Sequence, residues 1–204
     1  MTEAAATAPP VILASTSAIR RTLLTQAGIV YEAVSPGVDE DAAKIALRAA
    51  GAGPREQADA IAEMKALKVS ARRPGLVIGC DQVLGFEGEA WDKSASLEEA
   101  RERLMAWRGK THTLECAAVV ARDGVPIWRQ LKTSRMTMRS FSDAFLDDYL
   151  ARYGTEALSS VGVYQLEGAG VQLFERIEGD YFAILGLPLL ELLAFLRLHG
   201  AVPT

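Results

Sequence analysis

The 204-residue chain has no asparagine, only two cysteines, two histidines and six lysines. Without asparagine it has no N-glycosylation sequon. Cys80 and Cys116 form no CxxC and sit in apolar, strand-like surroundings. They read as reduced core thiols of a cytoplasmic protein, which excludes a disulfide scaffold. There is no HExxH, and His112 and His199 fit no zinc-ligand spacing. Long apolar runs are also missing. The longest, near Leu185 to Leu198, is broken by Pro188, Glu191 and Arg197 and is too short and polar to span a bilayer. An excess of basic charge is absent too. Lys plus Arg number 22 against 26 Asp plus Glu, a formal net charge of −4. Bulk charge therefore does not hold the protein on nucleic acid, although a local basic pocket is compatible with it. Met1 to Pro10 has neither basic residues nor an apolar core, so residues 1–10 read as a flexible tail and not as a signal peptide.

What is present suits a single globular domain over residues 11–204. Half the residues are hydrophobic and 24% are charged. A chain of this length buries roughly 70% of its unfolded surface. There is no internal repeat and no low-complexity linker. Val11 to Ala14 reads as a buried strand. Ser15, Thr16 and Ser17 then offer N-cap hydroxyls to a helix with apolar positions at Ile19, Leu23, Leu24 and Ala27, ended by Gly28. Asp39 to Ala50 and Arg55 to Arg73 read as helices. Leu76 to Cys80 reads as a second buried strand that ends at Asp81. Ser96 and Glu99 form a capping box. Thr113 to Ala121 and Ile127 to Met138 flank Asp123-Gly124 as a hairpin. Ser142 to Tyr153 reads as a helix ended by Gly154, Val171 to Ile177 as a strand, and Pro188 to Leu198 as a closing helix. The order predicts an α/β fold with a mixed twisted sheet and flanking helices.

Two phosphate-binding signatures fail on inspection. Gly109-Lys110-Thr111 ends like a Walker A loop, but Leu104 stands where its first glycine belongs. Gly168-Ala169-Gly170 lacks the third glycine of a dinucleotide fingerprint. Val83 likewise stands where a DxD phosphatase needs its second aspartate.

Other residues survive. Ser15, Thr16, Ser17, Arg20 and Arg21 surround a helix start directly after a buried strand. Free N–H groups, hydroxyls and the helix dipole favour an anion there, and an arginine one turn in can grip it bidentately. The ordinary alternative is an N-cap followed by solvated arginines. Asp81 stands at the carboxyl end of a strand, where open α/β sheets place ligands; it could bind Mg²⁺, orient a water or simply cap a loop. Lys65 and Lys93 are compact charges suited to phosphate, or else solvated surface lysines.

Read together, these segments resemble the Maf family of nucleotide pyrophosphatases. Leu13-Ala14-Ser15-Thr16-Ser17-Ala18-Ile19-Arg20, followed by Leu23-Leu24, resembles its opening motif. Asp39-Glu40 resembles its DE pair, and Ala62-Glu63-Met64-Lys65-Ala66 its helical lysine segment. Val77 to Gln82 resembles its catalytic strand, Lys93 its KP lysine, Gly109 to His112 its GKTH turn, and Gly186 to Leu189 its GLPL. The resemblance implies two lobes around a cleft, similar to inosine triphosphate pyrophosphatases, and a homodimer. It implies hydrolysis of a nucleoside triphosphate to the monophosphate and pyrophosphate with a divalent metal, Mg²⁺ or Mn²⁺. On this resemblance Asp81 is the proton acceptor, and Arg20, Lys65 and Lys93 hold the triphosphate. Ser15 and Ser17 add hydrogen bonds, and Glu40 with Asp81 places the metal.

The resemblance also bears on the base. Gln82 and Glu167 match the branch acting on 7-methyl-GTP and not the one acting on dTTP and UTP. Ile19 stands where the former carries Trp, and Ala18 and Ser94 replace prolines of the motifs. Glu167 can accept from the N–H edge of guanine. The implied substrate is therefore purine or modified guanine. The alternatives are a dTTP/UTP-type enzyme, a house-cleaning hydrolase of non-standard bases, or a nucleotide-binding regulator of cell division with little turnover.

Overall fold

A computed structural model describes residues 8–203. Most of the expected tail, residues 1–7, lies outside the described residues. Strands and helices follow in the order β1 (Val11–Ala14), α1 (Ala18–Gln26), β2 (Glu32–Val34), α2 (Glu40–Ala49), α3 (Pro54–Ser70), β3 (Leu76–Phe86), β4 (Glu89–Trp91), α4 (Leu97–Trp107), β5 (Thr111–Arg122), β6 (Val125–Met138), α5 (Asp143–Ala157), β7 (Phe174–Glu178), α6 (Tyr181–Ile184) and α7 (Leu189–Leu198). The strands form one seven-stranded mixed sheet in the order β2-β1-β3-β5-β6-β7, with β4 paired to β3. β1 is parallel to β2 and β3, and the remaining pairings are antiparallel. The α/β expectation with a mixed sheet holds.

Side-chain alternation along β3 determines what each face of the sheet can hold. Leu76, Ile78 and Cys80 pack with Leu13, Leu24, Leu187 and Leu196 in one core cluster. Leu84 and Phe86, on the same face, belong to a second cluster with Leu104, Trp107, Leu146 and Tyr164. Gln82 lies between the two on this alternation. The opposite face turns Val77 and Val83 towards α3, whose Ala58, Ala62 and Ala66 lie flat against the sheet. Asp81 shares that face, and so does Gly79.

Glycine 79 is required by this approach. A Cβ there would stand 2.2 Å from the Ala62 carbonyl oxygen and 2.6 Å from the Ala66 nitrogen. Neither backbone atom can move aside, so Gly79→Ala must lift α3 off the sheet. The expected loss is about 3 kcal/mol or more, at the upper end of overpacking penalties, read as a lowered midpoint in thermal denaturation. A wild-type midpoint would show that α3 does not lie this close.

Three segments differ from the reading of the sequence. β3 does not end at Asp81 but runs on to Phe86, because β5 pairs with it along its length and β4 takes over its other edge. Helix α5 does not end at Gly154. The glycine is buried inside it, and a Cβ there would meet Leu97 Cδ2 at 2.7 Å, so Gly154 serves close contact with the start of the preceding helix, α4. The strand expected from Val171 begins only at Phe174, after a 3₁₀ turn over Ala169–Leu173.

Candidate active site

The parallel partner of β3 runs out at the Ala14–Gly79 pair, and β4 joins only at the Leu84–Trp91 pair. Between these pairings one edge of β3 is uncovered at residues 80–83. A cavity of about 770 Å³ opens there. It is lined by Ser15, Thr16, Ser17, Ile19, Arg20, Glu40, Lys65, Asp81, Gln82, Lys93 and Glu167, whereas Arg21, expected at the same helix start, does not line it and its guanidinium turns back to the Ser15 carbonyl. Asp81 is therefore not at a strand end, yet it stands where parallel pairing stops.

Lys65 belongs to the buried stripe of α3, with Ile61, Ala62 and Ala66. Its Nζ donates to Asp81 Oδ1 at 2.8 Å and pairs with Glu40 Oε2 at 2.9 Å. The ammonium thus sits between two carboxylates. Lys65 and Asp81 are only 5% and 6% exposed. Asp81 Oδ2 is buried with no hydrogen-bond partner among the described residues. A buried carboxylate oxygen without a donor is costly, and a bound water, metal ion or substrate group would satisfy it.

Arg20 is also buried and held rigidly. Its Nε donates to the Gly186 carbonyl at 2.8 Å, and its Nη1 donates to the Cys80 carbonyl at 3.0 Å and to Ser15 Oγ at 3.2 Å. The hydroxyls of residues 15–17 behave differently from the N-cap expectation. Ser15 Oγ accepts from the Ser17 N–H, and the N-cap Ser17 makes no side-chain cap. The first-turn N–H groups of α1 therefore have no side-chain cap, and Ser15 to Arg20 line the cavity. Lys93 and Glu167 are exposed at its rim, and Ile19 is half-buried against the first core cluster.

Gln82 has a role that its position in sequence does not reveal. Its Nε2 donates to the carbonyls of Ala183 and Ile184, each at 2.9 Å. Its amide group thus ties β3 to the end of α6, next to the Gly186 carbonyl that Arg20 holds. The thiol of Cys80, beside this site, is pushed up to about 11 by burial and cannot serve as a nucleophile at neutral pH. His112 lies in the core. It is hydrogen-bonded to Tyr164 at 2.7 Å, and burial lowers its pKa to about 3.

Sequence reasoning missed a second charged group in the cavity. Lys44 and Arg48, one turn apart on α2, both pair with Asp92, at 2.9 and 2.7 Å. Burial alone would raise the Asp92 pKa, but these two hydrogen-bonded cations outweigh it and hold it below the ordinary carboxylate range. The i,i+4 spacing of Lys44 and Arg48 was visible; their partner, far along the chain, was not. Among the described residues no group of three or more His, Cys, Asp or Glu is arranged to hold a metal ion alone. No helix among them is long and apolar enough to cross a membrane.

Residues 10–199 match the family model described as Maf-like protein. The chain is 61% identical over 193 residues to a nucleoside triphosphate pyrophosphatase of Caulobacter vibrioides, a match covering 95% of this chain and 97% of that protein. It is 53% identical over 194 residues to a nucleoside triphosphate pyrophosphatase of Hyphomonas neptunium, covering 95% and 98%. It is 51% identical over 193 residues to a 7-methyl-GTP pyrophosphatase of Mesorhizobium japonicum, covering 94% and 97%.

Proposed function

The chain belongs to the family of Maf-like proteins, and from that premise we propose that it is a hydrolase splitting a nucleoside triphosphate into the monophosphate and pyrophosphate. The observation that carries this reading is Asp81. One of its oxygens is pinned by Lys65 and the other is buried without a donor, inside a cavity that Arg20 and Lys93 also line.

The residues divide the work by position. Asp81 Oδ2 accepts the proton of the water that attacks the α-phosphorus, and Lys65 holds the carboxylate in place through its other oxygen. The leaving pyrophosphate needs cations. Arg20, Lys65 and the rim lysine Lys93 supply them, and the uncapped N-terminus of α1 adds backbone N–H donors. Ser15 orients Arg20 through its hydroxyl, and Ser17 presents a second hydroxyl beside it.

The donor set suits Mg²⁺ or Mn²⁺. Asp81 and Glu40 stand on either side of the Lys65 ammonium, Asp81 Oδ2 lacks a partner, and such ions would keep waters and phosphate oxygens as their other ligands. When bound, the metal supplies charge neutralisation on the phosphates. Two core clusters either side of the cavity support a two-lobed arrangement similar to that of inosine triphosphate pyrophosphatases. Buried free cysteines fit a cytoplasmic setting. A homodimer could use the exposed Leu190 and Leu198 of α7, and light scattering reads it.

For the base, a guanine or 7-methylguanine nucleotide is the preferred substrate. Glu167 offers a carboxylate to the guanine N–H edge, while Gln82 shapes the wall by holding α6. Relatives named 7-methyl-GTP pyrophosphatases support the same reading. A panel of triphosphates scored by pyrophosphate release tests it. GTP and 7-methyl-GTP should exceed dTTP by about tenfold or more in kcat/KM, since a site built to hydrogen-bond a group rejects analogues lacking it. Glu167→Gln should narrow that gap. A preference for dTTP contradicts the assignment. Absence of pyrophosphate with every nucleotide points instead to a binding regulator.

A further inference from the structure

The cavity has two walls of different origin. One end carries Asp92 and Lys93 with the α2 cations. The other is the segment 159–167, which carries Glu167. One side chain outside the cavity hydrogen-bonds to both. Arg103, on α4, is 5% exposed in its side chain. Its Nη1 donates to the Asp92 carbonyl and, at 3.4 Å, to the Val161 carbonyl. Its Nη2 donates to Glu99 Oε1 at 2.6 Å. Glu99 in turn accepts from the Ala95 N–H at 2.8 Å, within the capping box that starts α4. The guanidinium lies 5.1 Å from the centre of the Trp91 ring and 5.6 Å from that of Trp107.

Stability alone does not explain this arginine. Its guanidinium is buried beside two aromatic rings with Glu99 as its ion partner, and its Nε has no partner among the described residues. Buried charges in such places often contribute nothing net, so the polar group is there for what it fixes. What it fixes is one backbone carbonyl in each cavity wall, both referred to the rigid start of α4. We propose that Arg103 is a positioning residue: it sets the distance between the phosphate end of the cleft at Lys93 and the base-reading wall at Glu167. This rests on the pyrophosphatase reading of the cleft.

The chemistry predicts a particular pattern. A nucleoside triphosphate spans both walls, so loosening their spacing weakens simultaneous contact with base and phosphates. It does not disturb Asp81 and Lys65, which belong to β3 and α3. Arg103→Met keeps the stem between the tryptophans and removes both carbonyl contacts. Arg103→Lys keeps the charge but can reach only one wall at a time. For folded Arg103→Met, KM should rise about tenfold with kcat within about twofold, and guanine-over-thymine discrimination should shrink severalfold. In a double-mutant cycle, Lys93→Ala should lose most of its effect in the Arg103→Met background. Arg103→Lys should fall between, and it carries the test should Arg103→Met fail to fold. A merely structural arginine would instead lower the active fraction, leaving KM, discrimination and the Lys93 effect unchanged, and that result overturns the proposal. If the wild-type protein releases no pyrophosphate, the activity reading has failed separately. Equilibrium titration with a fluorescent non-hydrolysable nucleoside triphosphate then decides on Arg103: about tenfold weaker binding by Arg103→Met sustains the proposal and equal binding refutes it.

Discussion

Replacing Asp81 by asparagine should leave a folded protein that no longer releases pyrophosphate. Asparagine has the shape of aspartate, and its amide oxygen can still accept from Lys65, which keeps Glu40 as its ionic partner at 2.9 Å. The thermal midpoint should therefore stay within a few degrees of wild type. On the proposed mechanism, what is lost is the proton acceptor and a charge that would help hold a metal ion. Removal of a positioned general base alone slows a reaction by roughly 10²–10⁴-fold, and the lost metal contact adds to it. Steady-state pyrophosphate release under saturating nucleotide and Mg²⁺ measures the drop. Turnover within a few-fold of wild type would remove Asp81 from the chemistry.

Lys65→Met has the second large effect, and here stability suffers as well as activity. The substitution keeps the aliphatic stem in the buried stripe of α3 but deletes the ammonium between Asp81 and Glu40. Asp81 is 6% exposed and is left as an uncompensated buried carboxylate. Breaking a buried pair by removing one partner costs about 3–5 kcal/mol. At roughly 2–4 °C per kcal/mol for a chain of this size, the midpoint should fall by about 6–20 °C. The double variant Lys65→Met with Asp81→Asn should regain much of that loss, because the orphaned charge goes with the aspartate. Denaturation of the single and double variants, side by side, reads this. A single variant as stable as wild type, or a double variant no better than the single, would show that the pair is not coupled as described.

How much of this was legible beforehand follows the range of the signals. The buried strand Val11–Ala14 and the helix after it are local and were readable, as were the Ser96–Glu99 capping box and the hairpin at Asp123-Gly124. The gathering of Arg20, Lys65, Asp81 and Lys93 in one cavity could be expected only from several ordered motifs taken together, since each residue alone fits a plain surface role. The contacts that give them geometry were out of reach. Gln82 meets Ala183 and Ile184 across about half the chain, and Asp92 meets Lys44 and Arg48 across a helix and two strands. No local pattern encodes such pairs. Gly154 misled because a glycine that ends a helix and one that lets two helices touch look alike in sequence. β4 and α6, of three and four residues, are too short for any period to register.

The central claim is that water, deprotonated by the free oxygen of Asp81, attacks the α-phosphorus. Hydrolysis of a nucleoside triphosphate in ¹⁸O-labelled water, with both products analysed by mass spectrometry, tests it most directly. The account predicts one ¹⁸O atom in the nucleoside monophosphate and none in the pyrophosphate. Label in the pyrophosphate, or release of orthophosphate and a nucleoside diphosphate, would contradict it.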